Sequence, residues 1–253
     1  MTKRKDKDAR ARAREARLAE QREAAERERR QRLVRLGAAV LFVAVIAVVA
    51  LIALSGGGEG GDETIEGASA VDRELEGIDQ SGTVLGDPDA PVTVREFADL
   101  QCPVCASFSE QEIPDVIDRA VRSGDARLEY VNFPILGEDS EVAARAALAA
   151  AEQDRMWQFT EIFYANQGFE NSGYVTDEFL TGVAEAAGLD VEAWDEARQD
   201  PALDDQIAEA QAEAARLGFD GTPSMVVLGP GGEENLGTPS SARQVLAAIE
   251  SAS

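Results

Sequence analysis

The chain has 253 residues, with 24 Lys+Arg, 48 Asp+Glu and no histidine, for a formal net charge of −24. So acidic a body repels phosphate backbones, which argues against nucleic acid as a partner. Two cysteines and no histidine are too few ligands for a tetrahedral zinc site within one chain, so neither a metal nor another cofactor is expected.

The charge is unevenly spread. Residues 1–35 hold 14 basic and 7 acidic side chains, and no lysine follows Lys7. Residues 1–32 read as a charged tail. From Leu36 to Leu54 run nineteen residues without a charge. As a helix they extend about 28 Å, close to the roughly 30 Å hydrocarbon core of a bilayer. This predicts a single transmembrane helix over 33–54. A cleaved signal peptide is the nearer competitor, but its basic and apolar regions are usually shorter. Arg29, Arg30, Arg32 and Arg35 precede the span, and Glu59, Asp62 and Glu63 follow it. Positive charge stays inside, so the N-terminus is expected in the cytoplasm and the body outside the cytoplasmic membrane. Residues 55–82, rich in Gly and acidic side chains, read as a flexible linker reaching about 30 Å.

The folded body is expected from residue 83. GDPDAPV (86–92) reads as a turn. Val92–Phe97 reads as a short strand. Phe108, Ile113, Val116, Ile117, Ala120 and Val121 recur at helical spacing between Pro103 and Val121, with a kink expected at Pro114. Arg127–Ile135 is aromatic and β-branched, a second strand reached through a helical crossover and so parallel to the first. Residues 140–217 carry almost only helical signal. Their aromatic set, Trp157, Phe159, Phe163 and Tyr164, reads as core. Further helices are expected from Thr176 to Ala187, from Asp190, and from Pro201 to Leu217, with Gly188 and Gly218 as stops. SMVVL (224–228), the turn GPGG and EENL (233–236) form an antiparallel hairpin. A last helix is expected to run to about Ser251, with Thr238 as N-cap and Pro239 in its first turn.

The two cysteines, Cys102 and Cys105, stand three apart in EFADLQCPVCASF. A disulfide between them would close too short a loop to be an effective staple, worth about 2 kcal/mol by chain entropy. A reactive dithiol fits better. If a helix starts at Cys102 or Pro103, the Cys102 sulfur lies over free backbone N–H groups and the positive end of the helix dipole. Both favour thiolate over thiol. Pro103 in the first turn removes only an N–H that has no partner anyway. Cys105, one turn on, should be the less exposed of the two.

Residues 92–108, VTVREFADLQCPVCASF, resemble the active-site segment of the DsbA-like thiol:disulfide oxidoreductases of the thioredoxin superfamily. GTPSMVV (221–227) resembles that superfamily's cis-proline segment, and Phe133–Pro134 looks like the end of its second strand. The resemblance spans residues 82–252. It implies an α/β thioredoxin fold over 83–137 and 218–253, with an all-helical domain inserted at 138–217. It implies Cys102 as nucleophile and Cys105 as resolving thiol, with Pro103 and Val104 at the substrate-facing surface. Pro223 would be cis, and Thr222 would offer backbone hydrogen bonds to an extended substrate. A trans turn before a strand is the alternative for Thr222–Pro223. Glu96 matches the family's buried acid, which takes the proton of the resolving thiol; an exposed Glu on an edge strand is the alternative. Asp99 is expected in a loop or capping role. The sequence departs from many oxidising members, which carry histidine between the cysteines, so a less oxidising disulfide is expected. The resemblance implies oxidation of reduced exported proteins and reoxidation by a membrane quinone-linked partner. A thiol reductase using the same dithiol and a non-enzymatic anchored binding module are the rival readings.

Overall fold

In this computed structural model residues 64–253 are described. The predicted tail, the predicted membrane span and the first part of the linker lie outside the described residues. Among the described residues no helix is long and apolar enough to cross a membrane.

A six-stranded mixed sheet organises the body in the order β1-β2-β4-β3-β5-β6. The strands are β1 (Gln80–Ser81), β2 (Val84–Leu85), β3 (Val92–Ala98), β4 (Ala126–Asn132), β5 (Ser224–Gly229) and β6 (Gly232–Gly237). β3 and β4 pair in parallel, as their helical crossover requires, and the other pairs are antiparallel. β3 is central, flanked by β4 and β5. Val92 and Val94 alternate onto one face, and Phe97 turns to the other.

The helices are α1 (Ala68–Leu75), α2 (Pro103–Gln111), α3 (Ile113–Val116), α4 (Glu138–Ala151), α5 (Met156–Ala165), α6 (Asp177–Ala186), α7 (Val191–Ala197), α8 (Ala202–Leu217) and α9 (Ala242–Ala252). The predicted kink is a full break. Glu112, at φ −117°, separates α2 from α3, and α3 runs on into a π-helical turn at Ile117–Val121. Thr176 and Asp190 cap α6 and α7 by accepting from the N–H groups of Phe179 and Ala193. α8 ends at Gly218 in the left-handed region, φ 76°.

Two expectations need correction. The linker does not run to residue 82. Val71 and Leu75, one turn apart, bury against the core and make α1. The segment before α1 is held by Asn166, which accepts from the Glu66 N–H at 2.9 Å and donates to the Glu66 carbonyl at 2.9 Å. At Gly67 a Cβ would stand 3.0 Å from that of Ala165, so α1 lies directly on α5. Two apolar side chains among acidic ones were too weak a signal. The last helix starts at Ala242, not beside Thr238. Its first N–H donates to the Glu112 carboxylate at 2.6 Å, so an acceptor remote in sequence replaces a local cap.

The helical block at 138–217 shares one core with the sheet. Trp157, Phe159, Phe163 and Trp194 are buried with Val92, Val94, Leu128 and Tyr130. The opposite sheet face is covered by α8, where Ala214 packs with Phe97, Val131, Phe133, Phe219 and Val226. Arg95 on that face pairs with Glu129 at 2.8 Å and with Glu213 of α8.

Candidate active site

β3 delivers the chain to the site. The turn after it is held by the Asp99 carboxylate. One oxygen accepts from the Gln101 N–H at 2.9 Å, and the other from the Ile135 and Leu136 N–H groups at 2.8 and 3.0 Å. Asp99 thus clamps the loop after β3 to the loop after β4, the loop role expected of it.

Cys102 is the N-cap of α2, with extended φ −74° and ψ 116°, and Pro103 fills the first helical position. The 92–108 segment therefore places its first cysteine where free N–H groups converge. The Thr222–Pro223 peptide is cis, so the trans alternative does not hold. The Cys102 thiol donates to the Thr222 carbonyl at 3.5 Å, which brings the two motifs into one site. Both cysteines are free thiols. Cys105 is wholly buried, and Val104 between them is 55% exposed.

The environment splits the two thiols. Cys102 is lowered to about 6. The largest cause is the hydrogen bond from the Cys105 thiol. Burial opposes it, and the Thr222 side chain and the N–H groups of Cys105 and Val104 add to the lowering. Burial pushes Cys105 well above the usual thiol range, and its hydrogen bond to Cys102 and the charge there push it further. At neutral pH the pair therefore holds one thiolate, on the outer sulfur, and one proton, on the inner.

Glu96 is not on an edge. It pairs in register with Tyr130 on β4 and with Met225 on β5, and it is buried. It shares a face with Val92 and Val94, the face that carries Cys105 in its core. Burial first, then the Glu161 carboxylate, push it up to about 8. At pH 7 it is mostly a neutral acid that can give a proton, and its minor ionised fraction can take one.

Sequence reasoning missed the other buried polar groups here. Glu161 sits on α5 one turn from Trp157 and accepts from the Ser109 hydroxyl at 2.5 Å. The Tyr130 and Tyr164 hydroxyls are 2.8 Å apart, and Tyr164 also donates to the Asp99 carbonyl at 3.3 Å. A signal for Glu161 was available: it is the one acidic side chain within the aromatic run MWQFTEIFYA. At the rim, the Gln167 amide donates to the Leu100 and Cys102 carbonyls at 2.7 and 3.2 Å. The Gln101 amide oxygen accepts from the Asn171 N–H at 2.9 Å. These bonds tie the loop after α5 to the active-site turn. Val104, Ile135 and Phe169 are the exposed large apolar side chains among the described residues. Each stands on a segment joined to that turn. Among the described residues no cluster of three potential ligands could hold a metal ion.

Comparison with known proteins agrees with this geometry. A family model described as Thioredoxin matches residues 79–251. Probable disulfide bond formation protein D of Bacillus cereus is 30% identical over 149 residues, 57% of this chain and 69% of the relative. A thioredoxin-like oxidoreductase from Silicibacter pomeroyi superposes with a TM-score of 0.56 at 32% identity, covering 71% of this chain and 95% of that one. Oxidised BdbD from Bacillus subtilis superposes with a TM-score of 0.60 at 24% identity, covering 68% and 95%, a likeness of fold. A mixed sheet crossed by helices, a split dithiol at a helix start and these relatives lead to one assignment: the chain belongs to the thioredoxin family, as a DsbA-like thiol:disulfide oxidoreductase.

Proposed function

We propose that the chain is a membrane-anchored, extracytoplasmic dithiol oxidase that introduces disulfides into exported proteins through Cys102 and Cys105. The observation that carries this is the split of the two thiols: Cys102, part-buried against Thr222, is stabilised as thiolate, and Cys105, wholly buried, is held as thiol. A disulfide whose outer sulfur leaves readily as thiolate is a good electron acceptor. The run Leu36–Leu54 and the arginines before it support the anchor and its orientation.

The cycle starts from the Cys102–Cys105 disulfide. A substrate thiolate attacks the Cys102 sulfur. The S–S bond breaks, its electron pair passes to Cys105, and Cys105 takes a proton from Glu96. A second substrate thiolate then attacks the substrate sulfur of the mixed disulfide, and Cys102 leaves as thiolate. The substrate has lost two electrons and the enzyme has gained them. A membrane quinone-linked reoxidase removes both and restores the disulfide. Thr222 and Pro223 border the Cys102 sulfur, where the Thr222 backbone pairs with an extended substrate. Pro103 and Val104 form the surface the substrate slides over.

The test is oxidation of a reduced, unfolded protein with two cysteines by the full chain. Stoichiometric disulfide transfer that is lost in Cys102→Ser supports the oxidase. Partner binding that survives Cys102→Ser with no transfer by the native chain would leave an anchored binding module. Equilibration against glutathione fixes the direction. A potential above about −200 mV places the dithiol with disulfide donors, and one near −270 mV or below places it with reductases.

A further inference from the structure

We propose that Glu161 is a second proton carrier of the dithiol, exchanging with solvent the proton that Glu96 gives to and takes from Cys105. This rests on the thiol:disulfide chemistry of Cys102 and Cys105. It assigns a role to a residue of the helical block that the exchange itself does not touch.

Glu96 is sealed in the middle of the sheet, 3% exposed. Each turnover moves a proton on or off Cys105, so Glu96 must be reset through another group. The groups facing it are Tyr130, its register partner on β4, Tyr164 on α5 and Glu161 on α5. The two tyrosines hydrogen-bond to each other, and burial holds both well above the range in which a phenol ionises at neutral pH. Glu161 is the facing group able to change charge there.

Its placement is specific. Ser109 follows Cys105 by four residues on α2, so the two share a helix face. The Ser109 hydroxyl donates to Glu161 at 2.5 Å, which fixes the carboxyl beside the resolving thiol's own helix. Trp157, Glu161 and Tyr164 fall on one side of α5, and Trp157 and Tyr164 both meet Tyr130.

Among the described residues no cation compensates Glu161. α2 and α6, both packed on α5, carry no basic residue. Arg73 of α1 donates to the Ser69 carbonyl. Arg145 of α4 is committed to Asp204 and to the Arg198 and Asp200 carbonyls. Arg95 of β3 lies on the opposite sheet face with Glu129 and Glu213. The charged groups acting on Glu161 are Glu74 on α1 and Glu110 on α2, both of the same sign. A buried carboxyl among carboxylates, with burial as the main cause, titrates near 7. The Glu161 carboxylate in turn raises Glu96. Glu74, which acts on Glu161 ahead of Glu110, is itself partly exposed.

The balance is simple. When Cys105 leaves as a sulfur anion, Glu96 supplies its proton and Glu161 replaces it. When Cys105 attacks a mixed disulfide, the proton runs the other way. No electron passes through either carboxyl.

The experiment follows the full chain reacting with oxidised glutathione, with acid quenching and mass spectrometry. Cys102 first forms the glutathione mixed disulfide; its resolution by Cys105 is the step that needs the proton carrier. Glu161→Gln keeps an acceptor for Ser109 but carries no proton. Resolution at pH 7 should slow by about tenfold, less than the loss of a direct acid–base group. Its rate–pH profile should lose the step near 7, and the rate of mixed-disulfide formation should stay unchanged. Glu161→Asp should recover most of the rate. Glu161→Gln with native resolution and a native pH profile would overturn the proposal, as would a Glu161→Asp no faster than the amide. Should Glu161→Gln fail to fold, Ser109→Ala decides. It removes the donor that favours the Glu161 carboxylate, so the step near 7 should move to higher pH, and an unmoved step would count against the carrier. Loss of mixed-disulfide formation in native chain would instead defeat the dithiol reading itself.

Discussion

The Cys102 sulfur lies 3.5 Å from the Thr222 carbonyl oxygen, although 120 residues separate them. That contact joins the start of α2 to the strand that returns after the helical block. It leaves the outer thiol lined by donors from its own helix on one side and by Thr222 on the other. The reduced chain should therefore be alkylated once, at Cys102, with a rate that rises through a midpoint near pH 6. Cys105, wholly buried, should react only after unfolding. Mass spectrometry of iodoacetamide-treated protein checks both points. A midpoint between 8 and 9 would remove the thiolate from the mechanism.

The same shift sets how the redox potential varies with pH. Cys102 is lowered from 9.0 to about 6, so the stabilisation of the reduced form is complete above pH 9 and is lost as pH falls through about 6. At pH 7 it is worth about 1.4 kcal/mol, or about 30 mV. Between pH 6 and 9 reduction takes up one proton per two electrons, so the potential should fall by about 30 mV per unit. Below pH 6 two protons are taken up, and the slope should approach about 60 mV per unit. A titration against glutathione between pH 5 and 9 measures the break.

Much of this was legible in the chain. The strand before the cysteines, Pro103 in the first helical turn, the break near Pro114 and the hairpin after Thr222–Pro223 all rest on local spacing or on residues with fixed backbone preferences. The aromatic set on α5 is core, as its spacing implies. What stayed hidden depends on contacts between distant segments. α1 exists because Val71 and Leu75 find α5, and α9 begins where Glu112 meets its first N–H. Glu161 stands out in the sequence only as the one acidic side chain of an aromatic run, and the run does not by itself show that the carboxyl is buried beside Ser109. Gln167 and Asn171 reach the site only because the loop after α5 folds back over it.

Val104 is the exposed residue between the cysteines. An imidazolium there would donate to the Cys102 thiolate and favour the reduced form. Val104→His should raise the potential by tens of millivolts, about 30 mV for each 1.4 kcal/mol of added stabilisation. It should also lower the alkylation midpoint. Because the side chain points outward, thermal unfolding of the disulfide form should hardly change. An unmoved potential would mean that this site sets its redox balance without that position.

Asp99 serves geometry more than chemistry. Its carboxylate accepts three backbone N–H groups from two loops. Asp99→Ala leaves buried donors without partners, at about 1–3 kcal/mol for each one that water cannot reach. Denaturant unfolding should show a loss of several kcal/mol. Asp99→Asn can still accept through its one carbonyl oxygen, and its loss should be smaller.

Glu96 should make stability depend on pH in a direction opposite to that of an ordinary carboxylate. Unfolded, it ionises near 4.5; folded, it holds its proton to about 8. The folded state therefore binds more protons in between, and stability falls as pH rises from about 4.5 to 8. Below that window Glu96 brings no penalty, and above it the penalty is complete. Glu96→Gln removes the ionisation and keeps the shape. In the disulfide form the cysteines do not titrate, so the comparison is clean. The variant should come close to the native chain at pH 4 and melt at a higher temperature at pH 9. It should also slow resolution of a mixed disulfide by about 10²-fold, because Cys105 loses its proton acceptor. A variant more stable at pH 9 yet unchanged in rate would leave Glu96 buried for some other reason, and Cys105 would have to lose its proton directly to water.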